Sequence, residues 1–313
     1  MGVTIATVFL QGILLVLIAP LIQGIIKKTK ARLQSRIGPG IFQPYYDLFK
    51  YLRKDAVISS HASWLTIATP YIAFTAVLTA GLLVPTFITY NPLGFMGDIL
   101  LIVYLFGMAR FFTALTALDA GGSFGGMGSS REMAFSAIAE PALLLAVFAV
   151  LLPGGGTTKL SLLIEGLTKS GWSWLEPSYI LAFIALFIVV IVETGRIPFD
   201  NPDTHLELTM IHEGMLLEYS GRYLGLMFWA AQMKQVLILS LFINLFFPWG
   251  IALDYGPYVL VAVLVYVVKL IVLGCLLAVI ETMFAKMRLF KVPKLLFSSM
   301  LLSLLAMMIW VFE

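Results

Sequence analysis

Long apolar runs separated by short polar segments make up most of the chain. Residues 1–26 contain no charged side chain, and comparable runs recur as far as the C-terminus. Each run reaches or approaches the roughly 20 residues that a helix needs to cross the hydrocarbon core of a bilayer. Because backbone polar groups inside lipid must be satisfied within the segment, such runs are predicted to be helices. The predicted spans are 3–26, 64–86, 99–118, 133–152, 177–195, 223–247, 258–280 and 294–311.

The fifth predicted span is the shortest, because its uncharged core covers only 178–192. The first differs from a signal peptide, since no basic residue precedes it, it exceeds a signal-peptide core in length, and the positive charges follow it. Composition agrees: 60% of the residues are hydrophobic, 12% are charged and the mean hydropathy is +0.98, whereas a soluble domain carries about twice that charged fraction. We therefore predict an all-α polytopic membrane protein that forms one membrane domain, 1–313, with about eight transmembrane helices.

Lysine and arginine are distributed unequally between the two sets of loops. Fifteen of them lie in the segments that follow the first, third, fifth and seventh spans, against two, Lys159 and Lys169, in the alternate segments. Positive residues accumulate on the cytoplasmic side of a membrane, so both termini are predicted to face outward. The formal net charge of +3 then reflects orientation and gives no reason to expect nucleic-acid binding.

The chain has one cysteine, Cys275, in the middle of the seventh span. A lone cysteine forms no internal disulfide and cannot by itself build a zinc or iron–sulfur site. We interpret Cys275 as a small residue of helix packing. Any redox metal connected with this protein is expected in another polypeptide.

Three polar segments lie on the predicted cytoplasmic side: a basic amphipathic segment at 27–62, a glycine-rich loop at 119–132 and an acidic loop at 193–222. In the first segment, Pro44 can begin an interfacial helix with one apolar stripe, formed by Tyr45, Leu48, Phe49 and Leu52. That helix is either an anchor for an anionic leaflet or the wall of an entrance for a lipid-like molecule or a partner. The glycine-rich loop has no GK[ST] and no preceding strand, so it is no phosphate-binding loop; its glycines favour close backbone packing.

Charged residues also lie within predicted spans or at their inner ends: Arg110, Glu140, Glu193, Lys234, Lys269 and Glu281. An ionised side chain at mid-bilayer costs about 2.5–3.5 kcal/mol on insertion scales, so such groups usually face a polar interior and have partners. Three acids and three bases are balanced in number, which permits pairing. Two interpretations stay open: ion pairs that only hold helices together, and a path for protons or cations along buried carboxylates.

The acidic loop holds six of the chain's 17 acidic residues and two of its three histidines, namely Glu193, Asp200, Asp203, Glu207, Glu213 and Glu218, with His205 and His212. Pro198 stops the preceding helix, and Asn201 can begin a new one. If 202–218 is helical, Asp203, Glu207 and Glu218 share one face. Crowded carboxylates can share protons, so the pattern favours a proton-exchanging relay beside a partner. A solvated acidic loop and a metal site are the alternatives.

Three motifs resemble the family of respiratory complex I subunit 1. The acidic loop, ETGRIPFDNPD…EL…EYSG, is similar to the signature loop of that family. RIGPGIFQPYYDLFK resembles the segment after its first helix, and GSSREMAFSAIAEP, which contains Glu132, falls where the family has its third loop. The resemblance covers roughly residues 20–290 and implies eight spans with both termini outside.

The spacing within the acidic motif points to one branch of that family. The stretch between Glu207 and Glu218 is longer than in the quinone-reducing members. NPDTHLELTMIHEGMLLEYSGR is more similar to the group 4 energy-converting membrane-bound [NiFe] hydrogenases, which include formate hydrogenlyases. This implies a non-catalytic subunit without a cofactor of its own in a prokaryotic plasma membrane. The implied partners are a hydrogenase-like large subunit, small iron–sulfur subunits and antiporter-like membrane subunits, which together hold [4Fe–4S] clusters and a [NiFe] centre.

The resemblance also implies roles by position. The loop beside the partner's redox site would contain Glu193, Asp200, Asp203, Glu207 and Glu218, and Glu132 and Glu140 would continue the path into the membrane. Glu213, in the divergent stretch, and Glu281, from residue chemistry alone, are further candidates. The residues expected at the partner interface are Arg36, Arg196, His205, His212 and Arg222.

The function expected from these observations is coupling of ferredoxin- or formate-driven proton reduction to translocation of H⁺ or Na⁺. A quinone-, methanophenazine- or sulfur-reducing complex of the same superfamily is one alternative. A stand-alone secondary transporter is another, although inverted repeats are not evident. A purely structural anchor is the third.

Overall fold

The computed structural model describes residues 2–89, 94, 96–170, 176–201, 211–252 and 258–312. These residues form helices joined by turns, loops and two isolated β-bridges. In chain order the helices are α1 (Gly2–Leu33), α2 (Gln43–Arg53), α3 (Trp64–Leu83), α4 (Ile99–Asp119), α5 (Ser123–Leu151), α6 (Leu160–Ser170), α7 (Pro177–Glu193), α8 (His212–Met215), α9 (Gly221–Phe246), α10 (Val259–Met283) and α11 (Val292–Phe312). The predicted all-α class is confirmed.

Seven helices of the described part of the chain are long and apolar enough to cross a membrane: α1, α3, α4, α5, α9, α10 and α11. They coincide with seven of the eight predicted spans. A helix of 20 residues is about 30 Å long, which matches the hydrocarbon core of a bilayer. The polytopic membrane architecture therefore follows from length and composition, as the sequence indicated.

The remaining predicted span, 177–195, corresponds to α7, which has 17 residues. Its length of about 25 Å is near the lower limit for crossing a bilayer. Proline is favourable at the first position of this helix, because the N–H that it lacks would have no partner within the helix there. The helix ends at Glu193, two residues before Gly195, whose φ of +62° a side chain would disfavour. Glu193 thus lies where the helix passes into the following loop.

Aromatic contacts hold α7 in the interior of the bundle. Tyr179 donates a hydrogen bond of 2.8 Å to the carbonyl of Phe246 on α9, and the Phe183 ring lies 5.0 Å from the Phe242 ring. α7 also packs against α5 and α11, and residues along most of its length are buried. At its C-terminal end Glu193 is buried, with 8% of its surface exposed.

The prediction of a glycine-rich loop at 119–132 is wrong over most of its length. α5 begins at Ser123, so only residues 120–122 separate it from α4. Glycine disfavours a helix on propensity alone, but tertiary packing requires it here. A Cβ at Gly125 would lie 2.7 Å from the Ala117 carbonyl oxygen, and one at Gly128 would lie 2.9 Å from the Ile211 carbonyl oxygen. Close backbone packing, expected from these glycines, therefore occurs within a helix and not within a loop.

The amphipathic helix predicted at Pro44 is α2, Gln43–Arg53, with Pro44 in its first turn. Within this chain only part of the predicted apolar stripe is covered: Leu48 is buried, whereas Phe49 is 62% exposed. The Tyr45 hydroxyl donates to the Leu17 carbonyl of α1, and burial raises the pKa of Tyr45. α2 thus rests on the bundle through one side and presents a mixed aromatic and basic side outward.

The helix predicted over 202–218 is wrong at its C-terminal end. Residues 202–210 lie outside the described residues; after them α8 spans only His212–Met215, and 216–218 form a turn. Helical periodicity was outweighed by packing, since Gly214 and the backbone around it lie against Gly128 of α5. Of the predicted common face, Asp203 and Glu207 lie outside the described part of the chain, and Glu218 is not on a helix.

Candidate functional site: two buried charge clusters around a cavity

Arg110 of α4 is the centre of a buried cluster of five charged groups. Its guanidinium Nη1 lies 3.1 Å from Glu140 Oε1, Nε lies 3.4 Å from Glu132 Oε1, and Nη2 donates to Glu193 Oε2. Lys234 of α9 places its Nζ 2.9 Å from the same Glu193 oxygen. We call these residues the Arg110 cluster: Arg110, Glu132, Glu140, Glu193 and Lys234.

Four helices supply the Arg110 cluster. Glu132 and Glu140 are eight residues apart on α5, slightly more than two turns, so both reach the same neighbouring helix. Side-chain exposure is 8% for Arg110 and 2% for Glu193, but 37% for Glu140. With every group ionised, three carboxylates and two cations leave the cluster with a net charge of −1. A single proton or monovalent cation would neutralise it.

Arg196 is the centre of a second cluster, three residues beyond Glu193. Nη1 lies 3.2 Å from Glu281 Oε1 of α10, and Lys30 Nζ of α1 lies 3.3 Å from Glu281 Oε2. Nη2 donates to two amide oxygens, Gln23 Oε1 at 2.5 Å and Gln235 Oε1 at 2.6 Å. We call these residues the Arg196 cluster: Arg196, Glu281, Lys30, Gln23 and Gln235. Its three ionisable groups, when charged, sum to +1, which complements the Arg110 cluster.

The loop after α7 is held by a further ion pair. Lys286, beyond the end of α10, places its Nζ 2.6 Å from Asp200 Oδ1. Asp200 is only 3% exposed, and its carboxylate also accepts from the backbone N–H of Asn201 at 2.8 Å. Residues 193–200 therefore carry three charged side chains that contact four different helices or their ends.

A cavity of about 360 Å³ lies between the clusters and α2. The charged residues that line it are Lys27, Lys30, Asp47, Arg110, Glu132, Glu193, Arg196, Asp200, Glu213 and Lys234. Apolar and aromatic residues of α2, including Leu48 and Tyr51, form part of its wall. α2 therefore lines the cavity, whereas both interpretations of this amphipathic helix, as a membrane anchor and as the wall of an entrance, stay predictions.

Other sequence-predicted residues lie in different places. Glu213 and His212 line the cavity from α8, whereas Glu218 is exposed and lies beside Gly122, where a Cβ would be 2.3 Å from its Oε1. Arg222 is exposed and stacks on Tyr223 at 5.2 Å. Asp203, His205 and Glu207 lie outside the described residues.

Next to Glu218, Tyr219 is buried, and this burial raises its pKa to about 12. Arg36 is exposed beside a small surface cleft that Asn201 also lines. Of the residues predicted for the acidic loop and the partner interface, the described structure therefore brings Glu193, Arg196, Asp200, His212 and Glu213 together around the cavity.

Lys269 does not join either cluster. Its Nζ donates to the Phe247 carbonyl at 2.6 Å and to the Trp249 carbonyl, and it lies 4.0 Å from the centre of the Trp249 ring. The last carbonyls of a helix lack intrahelical donors, and Lys269 provides one at the end of α9. The partners of Lys269 are thus backbone carbonyls. The equal number of acidic and basic residues in the spans had also permitted an ion pair with a carboxylate.

Sequence reasoning missed Gln23, Gln235, Lys30 and Lys286 as site residues. Lys30 and Lys286 were counted only as loop charges, but α1 continues to Leu33 and carries Lys30 into the cluster. The sequence did contain a signal for the two glutamines, since each is an amide within an apolar span. A polar side chain in hydrocarbon requires a partner, which would have marked Gln23 and Gln235 as candidates. Within the described residues, no three His, Cys, Asp or Glu side chains converge in a geometry suited to a metal ion.

Comparison with known proteins places this arrangement in a family. A family model described as NADH dehydrogenase matches residues 5–312. Formate hydrogenlyase subunit 4 of Escherichia coli (strain K12) is 34% identical over 290 residues, which cover 91% of this chain and 92% of that protein. Hydrogenase-4 component C of the same strain is 32% identical over 303 residues, covering 96% and 94%.

More distant relatives agree. NADH-quinone oxidoreductase subunit 8 of Rhodothermus marinus is 27% identical over 249 residues, which cover 75% of this chain and 70% of that protein. In fold, the chain is similar to a chain of the membrane-bound sulfane sulfur reductase, an archaeal respiratory membrane complex, with a TM-score of 0.82, 24% identity and coverage of 96% and 99%. The chain therefore belongs to the NADH dehydrogenase family, the family of complex I subunit 1.

Proposed function

We propose that this chain is the membrane-embedded coupling subunit of a complex I-like energy-converting hydrogenase, and that its Arg110 cluster exchanges the translocated ion. The carrying observation is a buried cluster with a net charge of −1, located where the loop after α7 meets the bundle. Identity above 30% over nearly the full length of a formate hydrogenlyase subunit and a hydrogenase-4 component supports the hydrogenase branch.

The expected partners follow from the same similarity. A hydrogenase-like large subunit with a [NiFe] centre and small subunits with [4Fe–4S] clusters would bind on the side that carries α2, α8 and the loop 194–201. Antiporter-like membrane subunits would bind laterally. Those partners would carry out the electron transfer, with ferredoxin or formate as the source of electrons and protons as the acceptor.

Glu193 can connect redox chemistry on a partner with charge inside the membrane. It ends α7 and is followed at once by the loop that contains Arg196 and Asp200. Displacement of that loop changes the distance between Glu193 and its two cations, Arg110 and Lys234. Because the attraction between opposite charges in a low-dielectric interior depends steeply on their separation, such a displacement changes the affinity of the cluster for a proton.

The first experiment is purification of the tagged chain from native membranes in mild detergent, followed by metal analysis and an H₂ assay with a low-potential donor on the same sample. Nickel together with H₂ production is the expected result. Iron without nickel would favour a quinone-, methanophenazine- or sulfur-reducing complex. A chain that purifies without metalloproteins and moves a solute in liposomes by itself would contradict the proposal and indicate a transporter.

The coupling role is tested with Glu193→Gln in the intact complex. This variant removes one charge and keeps the side-chain shape, so the complex is expected to assemble while the number of ions moved per electron falls below the wild-type ratio. The physical reason is that a neutral amide neither attracts Arg110 and Lys234 as a carboxylate does nor releases a proton. Ion transport at the wild-type ratio would show that the cluster is only structural.

A further inference from the structure

The segment that joins α10 to α11 is bonded to the loop after α7. We call residues 283–294 the α10–α11 segment. Lys286 Nζ lies 2.6 Å from Asp200 Oδ1, and the backbone N–H of Met287 donates to the Pro198 carbonyl at 2.9 Å. One side of the segment therefore helps to fix the position of that loop.

The other side of the segment exposes large apolar residues. Phe290 is 88% exposed and Met283 is 74% exposed, and Phe284 is exposed as well. An exposed apolar patch with a polar rim marks a site of contact with a membrane or with another protein. The rim here is basic, because the segment also carries three exposed cations, Arg288, Lys291 and Lys294.

These three cations form no ion pair in the part of the chain that the structure describes. The carboxylates of the neighbouring elements are already engaged. Asp200 is paired with Lys286, and Glu281 is paired with both Arg196 and Lys30. The charge of the three exposed cations is therefore available to an anion that does not belong to this chain.

The exposed side of α11 shows what kind of surface adjoins this charge. Beyond Lys294, large exposed residues recur every three or four positions along α11: Phe297, Leu301, Leu304 and Met308. Such an apolar stripe on a membrane-spanning helix faces acyl chains or a second membrane helix. Lys294 lies on the same stripe, at the end nearest the predicted cytoplasmic side of the membrane.

We propose that the α10–α11 segment and the adjoining part of α11 bind an anionic phospholipid, whose phosphate contacts Lys291 and Lys294 and whose acyl chains lie along the α11 stripe. A phospholipid presents apolar chains and a phosphate in the same order as this surface presents apolar side chains and cations. Lysine binds phosphate oxygens through charge-assisted hydrogen bonds. Phe290 would enter the headgroup region, where aromatic rings are enriched.

Charge complementarity determines which occupant fits this surface. Basic clusters beside a spanning helix attract anionic headgroups, whereas a zwitterionic headgroup brings a cation of its own that the three basic residues would repel. A soluble anion would satisfy the cations but would leave Phe290 and Met283 in water. A second membrane helix would cover the stripe without supplying a phosphate.

A lipid at this place would also affect the loop that follows Glu193. A headgroup bound to the α10–α11 segment restricts the position of the segment. The contacts that Lys286 and Met287 make with Asp200 and Pro198 pass this restriction to the loop. This consequence rests on the proposed coupling function, whereas the binding of the lipid does not.

Lipid binding is tested on the intact complex in nanodiscs that contain equal parts of phosphatidylglycerol and phosphatidylcholine. Electron cryomicroscopy is expected to show a phosphate about 3 Å from Lys291 Nζ or Lys294 Nζ, with acyl chains along the α11 stripe. A partner subunit in place of the lipid would overturn the proposal, and so would a phosphate without acyl chains. Absence of a headgroup there, in a map that resolves other lipids, would overturn it as well.

The charge requirement is tested by replacing both lysines in one variant, Lys291→Gln with Lys294→Gln. Each basic residue near an anionic surface contributes a factor of about five in affinity, so binding of one phosphatidylglycerol molecule is expected to weaken by about 30-fold. Native mass spectrometry of the complex with added phosphatidylglycerol measures this loss. The matched control, Lys291→Arg with Lys294→Arg, keeps both charges and should bind the lipid as the wild type does. Wild-type affinity in the glutamine variant would contradict the site.

The link to the loop is tested by ion transport in proteoliposomes. The wild-type complex is expected to move fewer ions per electron in phosphatidylcholine alone than in the mixture with phosphatidylglycerol, and the glutamine variant is expected to lose this difference. A wild-type ratio that does not depend on the lipid would overturn the link. The two proposals fail separately: unchanged transport in Glu193→Gln contradicts the coupling function, whereas a map without the headgroup contradicts only the lipid site.

Discussion

Arg110 and Glu193 form an ion pair across 83 residues of sequence, and the Glu193 oxygen that accepts from Arg110 also accepts from Lys234 at 2.9 Å. Glu193 is the last residue of α7, so the pair joins the end of one helix to the interior of two others. Arg110 in turn contacts Glu132 and Glu140. One guanidinium therefore neutralises charge contributed by two separate helices.

Replacement of Arg110 by methionine is expected to destabilise the protein strongly. The change leaves Glu132, Glu140 and Glu193 with Lys234 as their only cation within the cluster, and loss of one partner of a buried ion pair costs about 3–5 kcal/mol. Thermal unfolding of the purified complex, followed by tryptophan fluorescence, measures the loss. Arg288→Met is the control, because Arg288 is exposed; equal melting temperatures for the two variants would contradict the buried-cluster assignment.

The Arg196–Glu281 pair is expected to show an interaction energy in a double-mutant cycle. Arg196→Gln leaves Glu281 with Lys30 as its cation in the Arg196 cluster, and Glu281→Gln removes the carboxylate of that cluster, whereas the double variant removes both members of the ion pair. Contacting residues couple by about 0.5–3 kcal/mol, so the double variant should be more stable than the sum of the single effects predicts. Strict additivity would show that Lys30 or Gln23, rather than the ion pair itself, carries the stabilisation.

Two glycines of α5 should respond in opposite directions to alanine. Gly128→Ala places a Cβ 2.9 Å from the Ile211 carbonyl oxygen and 3.2 Å from the backbone of Gly214, and overpacking of this kind costs about 1–3 kcal/mol. Gly126→Ala meets only the Leu118 side chain at 3.9 Å and should gain up to about 1 kcal/mol in helix propensity. The melting temperatures of the two variants are compared with that of the wild-type protein. A loss of stability in both variants would indicate that 123–132 is not helical.

Lys269→Met is expected to lower stability without changing ion transport per electron. The ammonium donates to the backbone carbonyls of Phe247 and Trp249 at the end of α9, and a typical hydrogen bond contributes about 0.5–1.5 kcal/mol to stability. Lys234→Met, the comparison within the membrane, should reduce the transport ratio because it removes a cation of the Arg110 cluster. The measurement is transport in proteoliposomes beside thermal unfolding. A lowered ratio for Lys269→Met would place this lysine on the ion path.

The amino-acid sequence by itself determined the helical membrane architecture, the end of α7 at Glu193 and the amphipathic helix α2. These features are local: backbone groups in lipid must bond within their own segment, and periodicity over a few turns shows which side of a helix is apolar. It also singled out Arg110, Glu140, Glu193, Lys234 and Glu281, because charge in an apolar run has few explanations.

Only the tertiary structure decided which of those charges meet. Hydropathy does not specify how each helix is rotated about its axis or which helix is its neighbour, so nothing in the sequence paired Arg196 with Glu281 or directed Lys269 to backbone carbonyls. The same applies to α5, whose glycine-rich start is helical because contact with Ala117 and Ile211 leaves no room for a side chain. Packing outweighed intrinsic propensity there, and it brought the Gln235 amide, inconspicuous in the sequence, to the wall between the two clusters.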